Sequence, residues 1–208
     1  VSGNTSTTDG GGLYLEQFGT VVNGTHVTIS ANTATNTGGG IRLGTPGSVL
    51  TLTDSLITDN TASNDYGGGL YNAGTVNLVN TDIEANITLN LDSGVSGDIG
   101  GHGAGFFNAS GAVINFDSNS DVRGNHGVGS GAGGFNEGGI INANGNTWEN
   151  NSVDGFGTQN GGGLWNYLGG VANLDSVTFR NNATTYNASS VIQGSGGAIF
   201  NSDQATLN

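Results

Sequence analysis

The chain has 208 residues, of which 41 are glycine and one is proline, with no cysteine, methionine or lysine, and a formal charge of −13. Glycine without a three-residue period excludes collagen, the lack of cysteine excludes disulfides and thiolate metal sites, and no apolar run approaches the ~20 residues of a spanning helix. Twelve Asp and four Glu against three Arg make nucleic acid and anionic lipid poor partners; the acid reads as a solvated surface, with Asp also a common calcium ligand.

The chain opens on Val1-Ser-Gly-Asn4. This start has no basic, apolar leader, so any signal peptide is expected outside the chain. Gly10-Gly-Gly-Leu13-Tyr14 comes next, then a β-rich stretch, then Ile29-Ser-Ala-Asn32. The same two phrases alternate from there onward. The glycine phrase returns at Gly38, Gly67, Gly103, Gly131, Gly161 and Gly196, in steps of 28, 29, 36, 28, 30 and 35 residues. An apolar residue followed three positions later by Asn returns as Ile57–Asn60, Ile83–Asn86, Val122–Asn125, Trp148–Asn151 and Phe179–Asn182. Stretches such as Val49-Leu-Thr-Leu52 and Val171-Ala-Asn-Leu174 lie between the phrases. Each unit therefore shows three short strand signals separated by Gly, Asn and Ser turns, with no helical period. The two long steps place insertions near 87–102 and 183–195.

Three short strands cannot bury a core alone, but stacked copies can. The expected fold is all-β: a right-handed parallel β-helix of about seven coils of ~28–30 residues, three strands each, over 1–208 as a single segment. A propeller is the alternative, but its repeats of ~40–45 residues are too long for most steps here. Stacking gives the Asn column (Asn4, Asn32, Asn60, Asn86, Asn125, Asn151 and Asn182) a physical role. Each amide can donate to the next one, and a bend exposes backbone groups that Asn can satisfy.

Gly196-Gly-Ala198-Ile199 and Phe179-Arg-Asn-Asn182 resemble the paired motifs of the polymorphic outer membrane protein repeats of bacterial surface autotransporters and adhesins. The other copies are relaxed versions, and the resemblance extends over nearly the whole chain. It implies a surface-exposed β-helix and no particular activity.

Alignment of the units puts further residues in columns. Glu84, Arg123, Glu149 and Arg180 alternate in sign beside the apolar anchor and predict a charge ladder between coils that holds register. The position after the glycine phrase reads Tyr14, Arg42, Tyr71, Phe107, Phe135, Trp165 and Phe200. Arg42 between two tyrosines predicts cation–π contacts. Because strand side chains alternate faces, the Leu/Ile column is placed inside with Asn72, Asn108, Asn136, Asn166 and Asn201, and the aromatic stripe outside. The stripe is either covered by a loop, with the insertions near 87–102 and 183–195 as candidates, or free for a lateral partner chain or a stacked sugar.

Asp82 and Asp121 share a column in adjacent coils. Two carboxylates that close repel unless they are screened or bridged by calcium, the cofactor this pair points to; a glycosidase pair is an alternative. Gly129-x-Gly131-x-x-Gly134 has the letters of a dinucleotide-binding motif without its strand–helix context. His102 and His126 border consecutive loops and read as isolated histidines. Neither end shows a cap, so the segment is expected either to belong to a longer β-helix or to stack end to end into a fibre. The functional expectation is an extracellular or cell-surface structural and adhesive rod, not an enzyme, that self-associates or contacts a partner. A carbohydrate-binding or carbohydrate-active β-helix is the alternative.

Overall fold

The computed structural model describes residues 1–90, 100–155, 159–185 and 194–208. Every described element is a strand, and every strand pairs in parallel with its copies in neighbouring coils. The chain is a parallel β-solenoid of about six turns, slightly fewer than the seven expected. Seven stacked strands delimit six full coils and a part of the next.

Each coil has four strands, not three. The first sheet stacks seven two-residue strands that follow the Asn of each motif, from Thr5–Ser6 and Thr33–Ala34 to Ala183–Thr184. The second is built on the glycine phrase, from Leu13–Leu15 to Ile199–Asn201. The third holds the longest strands, including Val21–Thr25, Val49–Thr53 and Ile140–Asn144. The fourth carries the apolar anchors, from Thr28–Ser30 to Thr178–Arg180, in six strands. The overlooked element is the first sheet. Two residues are too few to show a period of two, so its sequence reads as part of a turn.

The register follows the columns expected from the repeats. Ile29, Ile57, Ile83, Val122, Trp148 and Phe179 stack one on another, facing the Leu/Ile column of the second sheet and Leu50, Val76, Ile114 and Ile141 of the third. Volumes are traded between rungs. Gly134 takes the place of a Leu, and a Cβ there would come within 2.2 Å of the Phe106 ring from the coil before. Phe106 in turn packs edge-on to Trp148 at 5.5 Å.

The bend between the fourth and first sheets explains the Asn. The residue before each Asn is left-handed: Gly3, Ala31, Asp59, Ala85, Gly124, Asn150 and Asn181 have φ between 52° and 68°. A left-handed residue swings the following N–H out of the sheet ladder. The Asn of the next coil takes it over. Asn60 N donates to Asn86 Oδ1 at 3.0 Å, and Asn60 Nδ2 donates to the same oxygen at 3.0 Å and to Ile29 O at 2.9 Å. This pattern repeats from Asn4 through Asn32, Asn60, Asn86, Asn125 and Asn151 to Asn182. The third glycine of the glycine phrase makes room for it, since a Cβ on Gly40 would lie 2.9 Å from the Asn60 amide.

A second amide ladder stands at the bend from the second to the third sheet. It runs Asn72, Asn108, Asn136, Asn166, Asn201, each donating to the next at 2.8 Å. All of these except Asn201 are fully buried. Asn86→Ala would leave the Asn60 N–H without its acceptor in a dry interior and strip one hydrogen bond each from the Asn60 amide, Ile57 O and Asn125 Oδ1. Its expected cost is about 3–5 kcal/mol by chemical denaturation followed by circular dichroism. Asn77→Ala, in a half-exposed column, should cost less than about 1 kcal/mol.

Candidate functional site

Three surfaces carry the candidate residues. On the second sheet, Tyr14, Arg42, Tyr71, Phe107, Phe135, Trp165 and Phe200 stand in one outward column, each paired in register with the next. The rings stack on the rungs below. Tyr71–Phe107 and Phe107–Phe135 are near-parallel at 5.2 Å, while Phe135–Trp165 is edge-on at 4.7 Å. The Arg42 guanidinium lies between Tyr14 and Tyr71, 5.3 and 5.2 Å from the ring centres. It also reaches the Tyr14 hydroxyl at 2.9 Å and Glu16 at 3.1 Å.

The stripe is not open along its length. Phe107, Phe135 and Trp165 are only 3%, 3% and 9% exposed, whereas Tyr14 is 47% exposed. The cover comes from the residues just before the glycine phrases. Tyr66 stacks on Phe107 at 4.7 Å, and His102 packs on Phe135 at 4.9 Å and edge-on to Trp165 at 5.8 Å. Tyr167 closes the far side of Phe135 and Trp165. A second, smaller apolar core thus lies outside the solenoid wall. This corrects the reading of Phe107, Phe135 and Trp165 as a contact surface: their faces are spent on one another and on this cover. The insertions suspected of providing it fall mostly at 91–99 and 186–193, outside the described residues. The usable signal was shorter, an aromatic ring directly before Gly67 and before Gly103.

His102 is buried and neutral. Ser130 N donates to its Nδ1 at 2.7 Å, which places the ring proton on Nε2. Burial holds its pKa down, at about 4 against an ordinary 6.5.

The fourth sheet carries the charges. Glu84, Arg123, Glu149 and Arg180 are in register as the repeat alignment implied. Arg180 pairs with Glu149, its Nε donating at 2.8 Å. Arg123 turns to the other side. It pairs with Asp82 and lies 3.5 Å from Asp121. The remaining oxygens of that pair accept backbone N–H groups: Asp121 N donates to Asp82 Oδ1 at 2.8 Å, and Thr147 N to Asp121 Oδ1 at 2.7 Å. All four carboxylate oxygens therefore face a donor of this chain. The continuous ladder Glu84–Arg123–Glu149–Arg180 is corrected to one ion pair and a separate Asp–Arg–Asp cluster. Two carboxylates on adjacent rungs attract the nearest cation more strongly than single ones do.

The first sheet holds a group that the sequence did not reveal. His126 Nδ1 and Ser152 Oγ are 3.0 Å apart across adjacent rungs, and Asp154 Oδ1 is 3.0 Å from His126 Nε2. The residue types are those of a hydrolytic triad. The Ser152 and Asp154 N–H groups, however, are spent in the sheet ladder on Asn125 O and Gly127 O. Neither is left to stabilise an oxyanion. Among the described residues no group of three or more His, Asp or Glu side chains converges on a metal position.

The fold and these surfaces define a repetitive parallel β-solenoid whose ordered side chains mainly join one coil to the next. The family model of the Chlamydia polymorphic membrane protein repeat matches residues 176–202. That span carries the last Phe-x-x-Asn and glycine phrases, and the match is to the family that these motifs resembled. The matched family is one of bacterial outer-membrane and surface proteins, which supports a cell-surface location at a coarse level. No curated protein and no solved structure shows significant similarity to the chain. No helix among the described residues is long and apolar enough to cross a membrane.

Two measurements probe these groups. Between pH 6.5 and 4 the unfolded chain protonates His102 and the folded one does not, so stability falls as pH drops through that window and the loss is complete below it. The size of the effect is roughly 3 kcal/mol. His102→Phe should flatten the midpoint against pH over that range. Arg123→Ala should leave Asp82 and Asp121 facing each other, lower the melting temperature, and make it rise with millimolar calcium. The unaltered protein should show no such rise.

Proposed function

We propose that the chain is a non-catalytic, stiff rod of a bacterial surface protein, structural and adhesive in use, whose coils continue into further coils or further copies along one axis. The observation that carries this reading is the polarity of the buried amide ladder. Each Asn donates forward from Asn4 to Asn182, so any coil that follows, from this chain or another, meets the same chemistry. Parallel pairing with side-chain amides in register stiffens such a stack, as it does in other cross-β assemblies. Regular strand edges favour addition of further strands.

The non-catalytic part of the reading draws on the spent groups. Arg42 is engaged by Tyr14, Tyr71 and Glu16, Arg123 by Asp82 and Asp121, and Arg180 by Glu149. Anionic substrates thus find no unpaired guanidinium among the described residues. The rings that would stack on a sugar at the middle of the stripe are covered.

Negative-stain electron microscopy over a concentration series tests the rod. Uniform filaments of one width are expected, growing longer with concentration. Short isolated rods at every concentration would remove self-association from the proposal.

A further inference from the structure

Among the described residues nothing packs over the outward face of the third sheet, and this face differs in kind from the other walls. Two of its outward columns contain no charged residue, on a chain of net charge −13. One column is mostly β-branched and includes Val21, Val49, Val113, Ile140 and Val171, with Val21 63% and Ile140 40% exposed. The other is Asn23, Thr51, Asn77, Asn115, Asn142, Asn173 and Asn208, all at least partly exposed. Its amides form a third ladder, opposite in direction to the buried two. Asn208 donates to Asn173, Asn173 to Asn142, Asn142 to Asn115 and Asn115 to Asn77, each at 2.8 Å. A groove of about 400 Å³ spans four rungs here, lined by Asn115, Asn142, Asn173 and Asn208 of that ladder and, toward the bend, by Asn144 and Asp175 with the apolar Phe116, Ala143 and Leu174.

The ladder leaves a defined remainder. Asn142 spends one N–H on Asn115 and one lone pair on Asn173. One N–H and one lone pair per amide still face outward. A partner that both donates and accepts at each repeat, carries no charge and offers a C–H face to the β-branched column fits this pattern. Sugar hydroxyls on a pyranose chain have those properties. The rung spacing of ~4.8 Å is close to the rise of one residue in an extended β-1,4-linked chain. A second copy fits less well. Seven strands of up to five residues give roughly 500 Å², against ~800 Å² per partner in a standard interface, and the two copies would repel.

We propose that this face binds a neutral, extended β-1,4-linked glycan laid along the solenoid axis, held by the outer amide ladder and the rim at Asn144. This deepens the adhesive part of the rod reading by naming its partner. The filament experiment and the one below fail independently, because the first reads stacking along the axis and the second reads this face alone.

The test is native affinity electrophoresis of the full chain through gels containing hydroxyethylcellulose or galactomannan. Dextran and a soluble β-1,3-glucan serve as coiled controls and polygalacturonate as a charged one. Retardation by at least one of the two extended neutral polymers is expected. Asn142→Ala/Asn173→Ala and, separately, Asn144→Arg should each weaken it at least about tenfold. Asn144 is exposed and outside the ladder, so Asn144→Arg blocks the groove in a chain that still folds, as circular dichroism would verify. Tyr14→Ala, on the second sheet, should leave retardation unchanged. The proposal is overturned by no retardation in either extended polymer, by equal retardation of Asn144→Arg, or by stronger retardation in dextran, β-1,3-glucan or polygalacturonate. A dimer in sedimentation that Asn144→Arg disperses, without glycan binding, would assign the face to a second copy instead.

Discussion

A coil must bend, and each bend takes backbone N–H groups away from the carbonyls of the next rung. The rest of the structure depends on how those groups are answered. At the bend after the fourth sheet Asn Oδ1 receives them, as where Asn125 N donates to Asn151 at 3.0 Å. At the bend before the fourth sheet hydroxyls do the same work: Val27 N donates to Ser55 Oγ at 3.0 Å and Thr81 N to Ser120 Oγ at 2.9 Å. Before the glycine phrase the acceptors vary, with Asp9 for Thr37 N, His102 for Ser130 N and Ser130 for Asn160 N. An unanswered buried N–H costs about 1–3 kcal/mol. One such loss at every bend of every coil would exceed the stability of an ordinary domain.

This explains how a chain with only 34% hydrophobic residues forms a continuous core. The apolar residues need only fill the channel between four narrow walls, one or two per strand. Coil-to-coil cohesion comes from backbone ladders in the walls and amide ladders at the bends. The glycines belong to the same arrangement. Gly40, Gly69 and Gly105 each lie where a Cβ would press within about 3 Å of an Asn amide, so the glycine phrase and the Asn motif are two sides of one contact.

The two phrases were legible because each recurs once per coil, and register follows from them without any knowledge of the coil's path. Thus Ile57 over Ile83 and Leu70 over Phe106 could be read from spacing alone. The path between the phrases was less legible. The two-residue strands such as Thr61–Ala62 carry no alternation. The choice of Arg123 for Asp82 over Glu84 rests on two carboxylates from adjacent rungs meeting one guanidinium, which a single-column alignment does not contain. The covered stripe depended on Tyr66 and His102, residues that sit at a position otherwise occupied by Asp9, Thr37, Ser130, Asn160 and Ser195. A position that tolerates such variety has no pattern to read, although it decides whether Phe107 and Phe135 meet solvent.

The distribution of polar groups then separates cohesion from contact. The amides at Asn86 and Asn108 are fully buried and satisfied within the stack, so they add nothing to what another molecule meets. The Asn142 amide belongs to an equally regular ladder but stands on the outside, with half of its hydrogen-bonding capacity left over. Identical side chains on one repeat therefore serve opposite ends, and the strand face decides which. Moving Asn142 one residue along its strand would place it where Ala143 now points inward and would strand its amide in the core. The same one-residue alternation that closes the solenoid thus sets which of its ladders remains available to a partner.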